Sequence, residues 1–521
     1  MRFPGFINFQ NNIKFLSYIV AFTPLLFFIV YITIRYNYTF LCVSSVFILS
    51  IFFVLRRSFY SYLFSFIVLF CISIAVTCFL LVRKSTGFSL DLYIVEALSI
   101  ASATNINEIF SFLKTVGLYP FSPLAILILV PFVVCGFKKR KKVTYVDIIV
   151  PIFCLALFCI PKNFFINKSI CRLMENMNIV IESNSKINEK NDFVWGAKNT
   201  LKQKTVSIVV LGETTRGLNS SINGYDRITT PYIEKENVIS FSNAISLGAH
   251  TLAATPFILT RKPLDYKGIF PEKSVFSAYK EAGYKTYYIS YLNQVHHGDY
   301  DLNQIFSEVD IFIKRKTPYD GEYIEIVKNI LNSTEDHIFI VVKLLGSHFN
   351  FYTNYPDSFD FFKPSYKTYK FNAPDVSEKE IMLNTYDNSI RYTDYVVGNI
   401  IDLLKKTDRD ATLTFISDHG ICLFDDNEVW GLRQAKPNFN ILYFYWLNDI
   451  AKNRLRNKVN MLIENKNFPV DASYFLDTQF ELNGIVVDKK NGKNLFLPLQ
   501  KEDERYVLTS RGITKYKDLP E

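Results

Sequence analysis

The stretch TVSIVVLGE, residues 205–213, is a short, largely β-branched apolar run that ends in a carboxylate. A run of this length without polar alternation predicts a strand buried on both faces, as in a parallel sheet. Three further stretches repeat the form, each an apolar run with polar residues at its carboxyl end: YKTYYIS (284–290), HIFIVVKLLG (337–346) and ATLTFISDHG (411–420). Between them lie helical patterns, SVFSAYKEAG (274–283) and SIRYTDYVVGNIIDLLKK (389–406). Strands alternating with helices predict an α/β fold with a mostly parallel central sheet flanked by helices. In such folds ligands bind beyond the carboxyl ends of the strands, where all of these polar clusters fall.

Upstream of residue 205 the character changes. Of the 521 residues 49% are hydrophobic, and the excess is concentrated in the first third. Apolar runs at 15–34, 39–55, 59–82, 123–137 and 146–160 predict five membrane-spanning helices, the second, fourth and fifth being short for that purpose. Basic residues at Arg2 and Lys14, at Arg56 and Arg57, and at Lys138, Lys139, Arg140, Lys141 and Lys142 all fall on one side, which marks the cytoplasm. Arg83 and Lys84 run against this orientation. An odd number of spans carries everything after residue 161 to the opposite face. The sequence thus divides into a transmembrane domain (1–161) with an amphipathic outer loop (85–118), a polar stem (162–204) and a globular domain (205–521). The first run is too long, and lacks the small-residue cleavage site, for a removable signal peptide.

The net charge of +9 includes no Lys/Arg-rich helix interleaved with aromatics, so it argues for anionic lipid head groups rather than nucleic acid. Six of the eight cysteines lie in or beside the apolar runs, and Cys171 and Cys422 are far apart, so no disulfide framework is expected.

Three clusters carry chemistry. Asp418 and His419 follow a strand directly, and Gly420 allows the chain to turn; a carboxylate and an imidazole there suit a divalent metal. Glu213 ends another strand and offers a second carboxylate to the same edge, although a glutamate there also serves a helix N-terminus. The stretch SLGAHTLAATPFILT (246–260) holds Thr251, a weak nucleophile unless a metal lowers its pKa and holds its oxygen in line. A divalent metal with Glu213, Asp418, His419 and Thr251 would have a four-coordinate site, and the oxygen-rich set suits Mn²⁺ or Mg²⁺ as well. His250, beside Thr251, is a further candidate for substrate contact, unless it faces the opposite way as neighbours in extended chain do.

The string GETTRGLNSSINGYDRITTP (212–231) resembles the opening signature of the bacterial phosphoethanolamine transferases, G-E-[ST]-x-R followed by G-Y-x-R-x-T-T-P, in the sulfatase/alkaline phosphatase superfamily. SLGAHTLAATP (246–256), GSHFNFYTNYP (346–356), YDNSIRYTDYVVGNII (386–401) and FISDHG (415–420) resemble later motifs of that family, in the same order. The resemblance implies a membrane-anchored enzyme with its catalytic domain in the periplasm, moving phosphoethanolamine from phosphatidylethanolamine to a lipid-linked or glycan acceptor such as lipid A or a core sugar. It implies Glu213, Asp418 and His419 as zinc ligands, Thr251 as metal-bound nucleophile, and His348 near the substrate phosphate. Lys343, where the family has a histidine, is expected to act on phosphate charge. Arg216 is a candidate phosphate ligand, Asn388 falls in a motif taken to contact substrate, and Arg227 is expected to tie down its own loop. Two other positions depart from the pattern: Ile421 follows the D-H-G triplet, and Trp430 stands near an expected histidine. True sulfatase activity is excluded by the absence of a C/S-x-P-x-R context at Thr251. A phosphoglycerol transferase of the same superfamily and an inactive envelope scaffold are the alternatives.

Overall fold

The computed structural model describes residues 191–521, save 267–269, 292–299, 316, 318, 370–375, 427–429, 501–502 and 510–511. The five expected spans and the 85–118 loop lie outside the described residues. Among the described residues no helix is long and apolar enough to cross a membrane.

A seven-stranded sheet organises the domain. Its strands are β1 (Thr205–Gly212), β2 (Ile239–Ser240), β3 (Lys285–Ser290), β4 (Ile311–Lys314), β5 (His337–Lys343), β6 (Asp410–Ser417) and β7 (Tyr443–Leu447). Their order across the sheet is β2-β7-β6-β1-β5-β3-β4. Pairing is parallel from β6 through β1, β5 and β3 to β4, and β7 runs antiparallel to both its neighbours. The four strands expected from the sequence are therefore β1, β3, β5 and β6. The antiparallel β7 and the short edge strands were not read from it.

Side-chain alternation explains why β1 is apolar on both faces. Val209 and Leu211 point to one face and join a core with Val341, Ile416 and the helices α1 (Thr251–Leu259), α2 (Val275–Glu281) and α5 (Phe475–Leu482). Val206, Ile208 and Val210 point to the other and pack with Val342, Leu413 and the helices α3 (Glu322–Leu331) and α4 (Lys379–Leu404). All eight positions of β1 are buried, and each large side chain there contributes about 1.5–3 kcal/mol. A strand so placed has no solvent face for its terminal polar residue, so Glu213 is delivered inside a closed edge.

The domain begins before residue 205. The chain from Asn191 belongs to it rather than to a free stem, because Trp195 is 2% exposed, donates from Nε1 to Ser274 O (3.1 Å) and meets Phe480 edge-on at 5.4 Å. Lys198–Asn199 pairs antiparallel with Ile485–Val486. A single tryptophan in a polar stretch has no periodic signature, and its pocket is built from segments remote in sequence.

Candidate metal centre and nucleophile

The central strands set the site by register. Gly212 pairs with Ser417, and Leu211 with Lys343, so Glu213, Asp418 and Lys343 leave the sheet side by side from β1, β6 and β5. One ligand atom each from Glu213, Asp418 and His419 lie within 4.8 Å of one another, all buried.

Thr251 reaches this cluster from the first turn of α1. Its Oγ1 is 3.2 and 3.1 Å from Glu213 Oε1 and Oε2, and 3.4 Å from His419 Nε2. His250 caps α1, its Nδ1 accepting from Ala253 N at 3.4 Å, which turns the imidazole to the helix end while Thr251 faces the carboxylates. At that end the peptide dipoles favour negative charge, so α1 presents both the hydroxyl and a favourable field to an anion.

Four of the separations among these groups are close to those around a tetrahedral ion. For metal–ligand bonds of about 2.1 Å the ligand–ligand edge of a tetrahedron is about 3.4 Å. The edges here are 3.2 Å (Glu213 Oε1 to Thr251 Oγ1), 3.4 Å (Thr251 Oγ1 to His419 Nε2), 3.5 Å (His419 Nε2 to Glu213 Oε1) and 3.8 Å (His419 Nε2 to Asp418 Oδ1). His419 Nδ1 lies 2.7 Å from Gly420 O and so carries the proton, leaving Nε2 with a lone pair for the ion. The donor set therefore fits zinc.

The backbone supports this arrangement. Thr214, at φ 55°, bends left-handed immediately after Glu213; its N–H donates to Asp418 Oδ1 (3.0 Å) and its hydroxyl to Glu213 Oε1 (2.8 Å). The Tyr386 hydroxyl holds the bend, donating to Thr214 O (2.6 Å) and accepting from Arg216 N (3.0 Å). Strain of this kind persists only where surrounding bonds impose it. Gly346, at φ +48°, packs against Glu213 so closely that a Cβ would lie 3.0 Å from Glu213 O. Ser347 N donates to that same oxygen at 3.0 Å.

Electrostatics follow from Lys343. Its ammonium is 2.7 Å from Glu213 Oε2 and 2.8 Å from Asp418 Oδ2, with both carboxylates and the lysine side chain at most 5% exposed. Burial would raise the Glu213 carboxyl, but Lys343, the His419 hydrogen bond and the charge of His348 hold it well below the usual range. Burial would depress His419, yet Asp418 and Glu213 outweigh it and raise the imidazole above its ordinary value.

The remaining sequence candidates occupy different stations. His348 is exposed, with Nδ1 2.7 Å from its neighbour's carbonyl, Phe349 O. Arg216, 4% exposed, is committed elsewhere: its guanidinium forms a two-point pair with Asp425 (2.6 and 3.0 Å) and donates to Ile421 O (2.8 Å). Asn388 is wholly buried and clamps a loop; its Oδ1 accepts from Phe361 N (3.0 Å) and Phe362 N (2.7 Å), and its Nδ2 donates to Asp360 Oδ1 (3.0 Å) and Phe362 O (2.9 Å). The structure thus does not bring Arg216 or Asn388 to the cluster as phosphate ligands. Arg227 ties its own loop to α4 through Asn384 (2.7 Å) and Asp387 (3.0 Å). Ile421 and Trp430 join an apolar cluster with Phe351 and Tyr386, and Phe349 packs on Trp430 with ring centroids 5.2 Å apart. Sequence reasoning missed Thr214, Tyr386 and Asp425. Tyr386 opens one of the recognised motifs, but nothing local indicates that its hydroxyl crosses to residue 214.

Comparisons with known proteins place this site in context. Over 232 residues the chain is 31% identical to phosphoethanolamine transferase EptA of Escherichia coli (strain K12), a stretch covering 42% of this chain and 41% of that protein. The match therefore spans about two-fifths of the relative's length. In fold it resembles the zinc complex of the C-terminal periplasmic domain of EptC from Escherichia coli (TM-score 0.55, 21% identity, 64% of this chain and 98% of that one). It also resembles the integral membrane protein lipooligosaccharide phosphoethanolamine transferase A of Neisseria meningitidis (TM-score 0.59, 14% identity, 82% and 87%). Residues 205–485, more than half of the sequence and including Glu213, Thr251, Lys343, Asp418 and His419, match the sulfatase family, and the chain belongs to that family.

Proposed function

We propose that the chain transfers phosphoethanolamine from phosphatidylethanolamine to a cell-envelope acceptor, a lipid A phosphate or a sugar of the lipopolysaccharide core, with Thr251 as the covalent carrier. The observation that carries the reading is the placement of Thr251 Oγ1 at 3.1–3.4 Å from Glu213 and His419, at the start of a helix. The 31% identity to a phosphoethanolamine transferase supports the choice of group.

Zinc bound by Glu213, Asp418, His419 and Thr251 supplies Lewis-acid stabilisation of the hydroxyl oxygen and of charge on phosphorus. The steps belong to the chain's own residues. Thr251 Oγ attacks phosphorus, its bond to the diacylglycerol oxygen breaks, and the threonine proton ends on the departing diacylglycerol. This reading gives His348 the task of passing it on, supported by the influence of its charge on Glu213. An acceptor oxygen then attacks the phosphothreonine ester and takes the phosphoethanolamine as the bond to Thr251 breaks; the Thr251 oxygen regains its proton from the attacking hydroxyl or, for an ionised phosphate acceptor, from water. His250 fixes the helix end that carries Thr251. In this reading residues 1–161 form a five-helix anchor in the inner membrane and the domain works in the periplasm. Confinement to the membrane raises the effective concentration of a lipid donor and a lipid-linked acceptor.

The test is peptide mass spectrometry of the full chain incubated with phosphatidylethanolamine and zinc, without acceptor. A phosphoethanolamine adduct on Thr251, absent in Thr251→Ala and after chelation, is the expected result. An adduct formed only with phosphatidylglycerol moves the assignment to phosphoglycerol transfer, and none with either lipid returns it to a scaffold.

A further inference from the structure

Each carboxylate of the cluster gives one oxygen to Lys343 and turns the other toward His419. Glu213 Oε2 and Asp418 Oδ2 accept from the Lys343 ammonium at 2.7 and 2.8 Å, and its third proton goes to Gly212 O at 3.1 Å. Glu213 Oε1 and Asp418 Oδ1 face His419 Nε2 at 3.5 and 3.8 Å, and Thr251 Oγ1 lies 3.2 Å from Glu213 Oε1 and 3.1 Å from Glu213 Oε2. An ammonium has three protons, and all three are engaged, so none is left for a phosphate oxygen. The lysine itself is 3% exposed at the end of β5, where Tyr323 donates to its carbonyl at 2.6 Å.

We propose that Lys343 is a resident cation of this centre, occupying the sheet side of the Glu213–Asp418 pair so that the site takes one divalent ion, on the Thr251–His419 side, and stays assembled when that ion is absent. Two buried carboxylates with no counter-charge repel each other and suffer the full cost of lost hydration. With the ammonium between them the cluster carries one net negative charge instead of two. It holds together without the ion and has no second position where both carboxylates can bridge another. The same ammonium repels an incoming dication, so the site binds its ion less tightly than the bare carboxylates would. The inference rests on the metal reading of the site but not on the transfer reaction.

The test uses the full chain purified in detergent, stripped with chelator and titrated with zinc, with no donor or acceptor present, so its outcome is independent of transfer. For wild type we expect one zinc per chain in excess zinc, and a stripped Tm within a few degrees of the loaded one. For Lys343→Met we expect a stripped Tm lower by about 10 °C, largely restored by zinc, because a buried pair has been broken. Its zinc Kd should be at least tenfold tighter than wild type. Lys343→Arg, which keeps the charge, should keep the wild-type stripped Tm. Zinc affinity in Lys343→Met that is unchanged or weaker overturns the proposal, as does a stripped Lys343→Met as stable as stripped wild type. Should that variant not accumulate, wild type alone decides: two zinc ions per chain, or collapse of Tm on stripping, sinks the idea.

Discussion

Thr251 and Arg216 were both candidates for handling phosphate, and their surroundings separate them. Thr251 is partly buried, with its hydroxyl among the proposed ligands, so removing it takes away chemistry and little packing. Thr251→Ala should reduce transfer by at least about 10³-fold, with Tm unchanged within a degree or two. Arg216 is bound to Asp425 with its side chain 5% exposed; burial opposes its charge, but the Asp425 carboxylate outweighs it and raises its affinity for the proton. Arg216→Ala leaves Asp425 without its partner and should cost about 3 kcal/mol, read as a Tm lower by several degrees. A raised KM with an unchanged Tm would instead make Arg216 a substrate ligand.

Single elements carry their own constraints. In α4, Asp394 accepts from Tyr232 N and Ile233 N, both at 2.8 Å, and so fixes the start of the turn Ile233–Glu236. Burial outweighs those two bonds and pushes its carboxyl up to about 7. An unfolded aspartate titrates near 3.9. Between those values the folded chain binds the extra proton, so this group's contribution to stability is greatest at low pH and declines as pH rises to about 7, by at most on the order of 4 kcal/mol. The Tm of wild type minus that of Asp394→Asn should therefore shrink between pH 5 and pH 8; a constant difference would refute the assignment. In the turn after β5, Gly346→Ala forces a side chain into left-handed backbone and against Glu213 O. It should cost about 1–3 kcal/mol and lower transfer together with Tm.

At the scale of the whole molecule, the basic cluster Lys138, Lys139, Arg140, Lys141 and Lys142 sets the proposed orientation. A reporter enzyme active only outside the cytoplasm should be active when fused after Glu521 and silent when fused after Lys142. Activity only at the second position would reverse the topology, and activity at both would overturn the single crossing proposed between them.

Much of this protein was legible in its sequence because burial on both faces of a parallel sheet leaves a local mark. The strands β1, β3, β5 and β6 read as apolar runs, and Glu213, Asp418 and His419 stood out as polar residues that ended two of them. The ordered motifs carried the family. The parts that stayed hidden depend on contacts between remote segments, for which no periodicity exists. Trp195 finds its pocket near residues 274 and 480, which draws the stem into the domain. Arg216 looks like an anion ligand in its motif, and only folding brings Asp425 to it. Lys343 stands at the end of a strand like any polar terminus. It became a cation between two carboxylates because the register of β5, β1 and β6 set three strand ends side by side, where burial leaves its protons to those carboxylates and to Gly212 O.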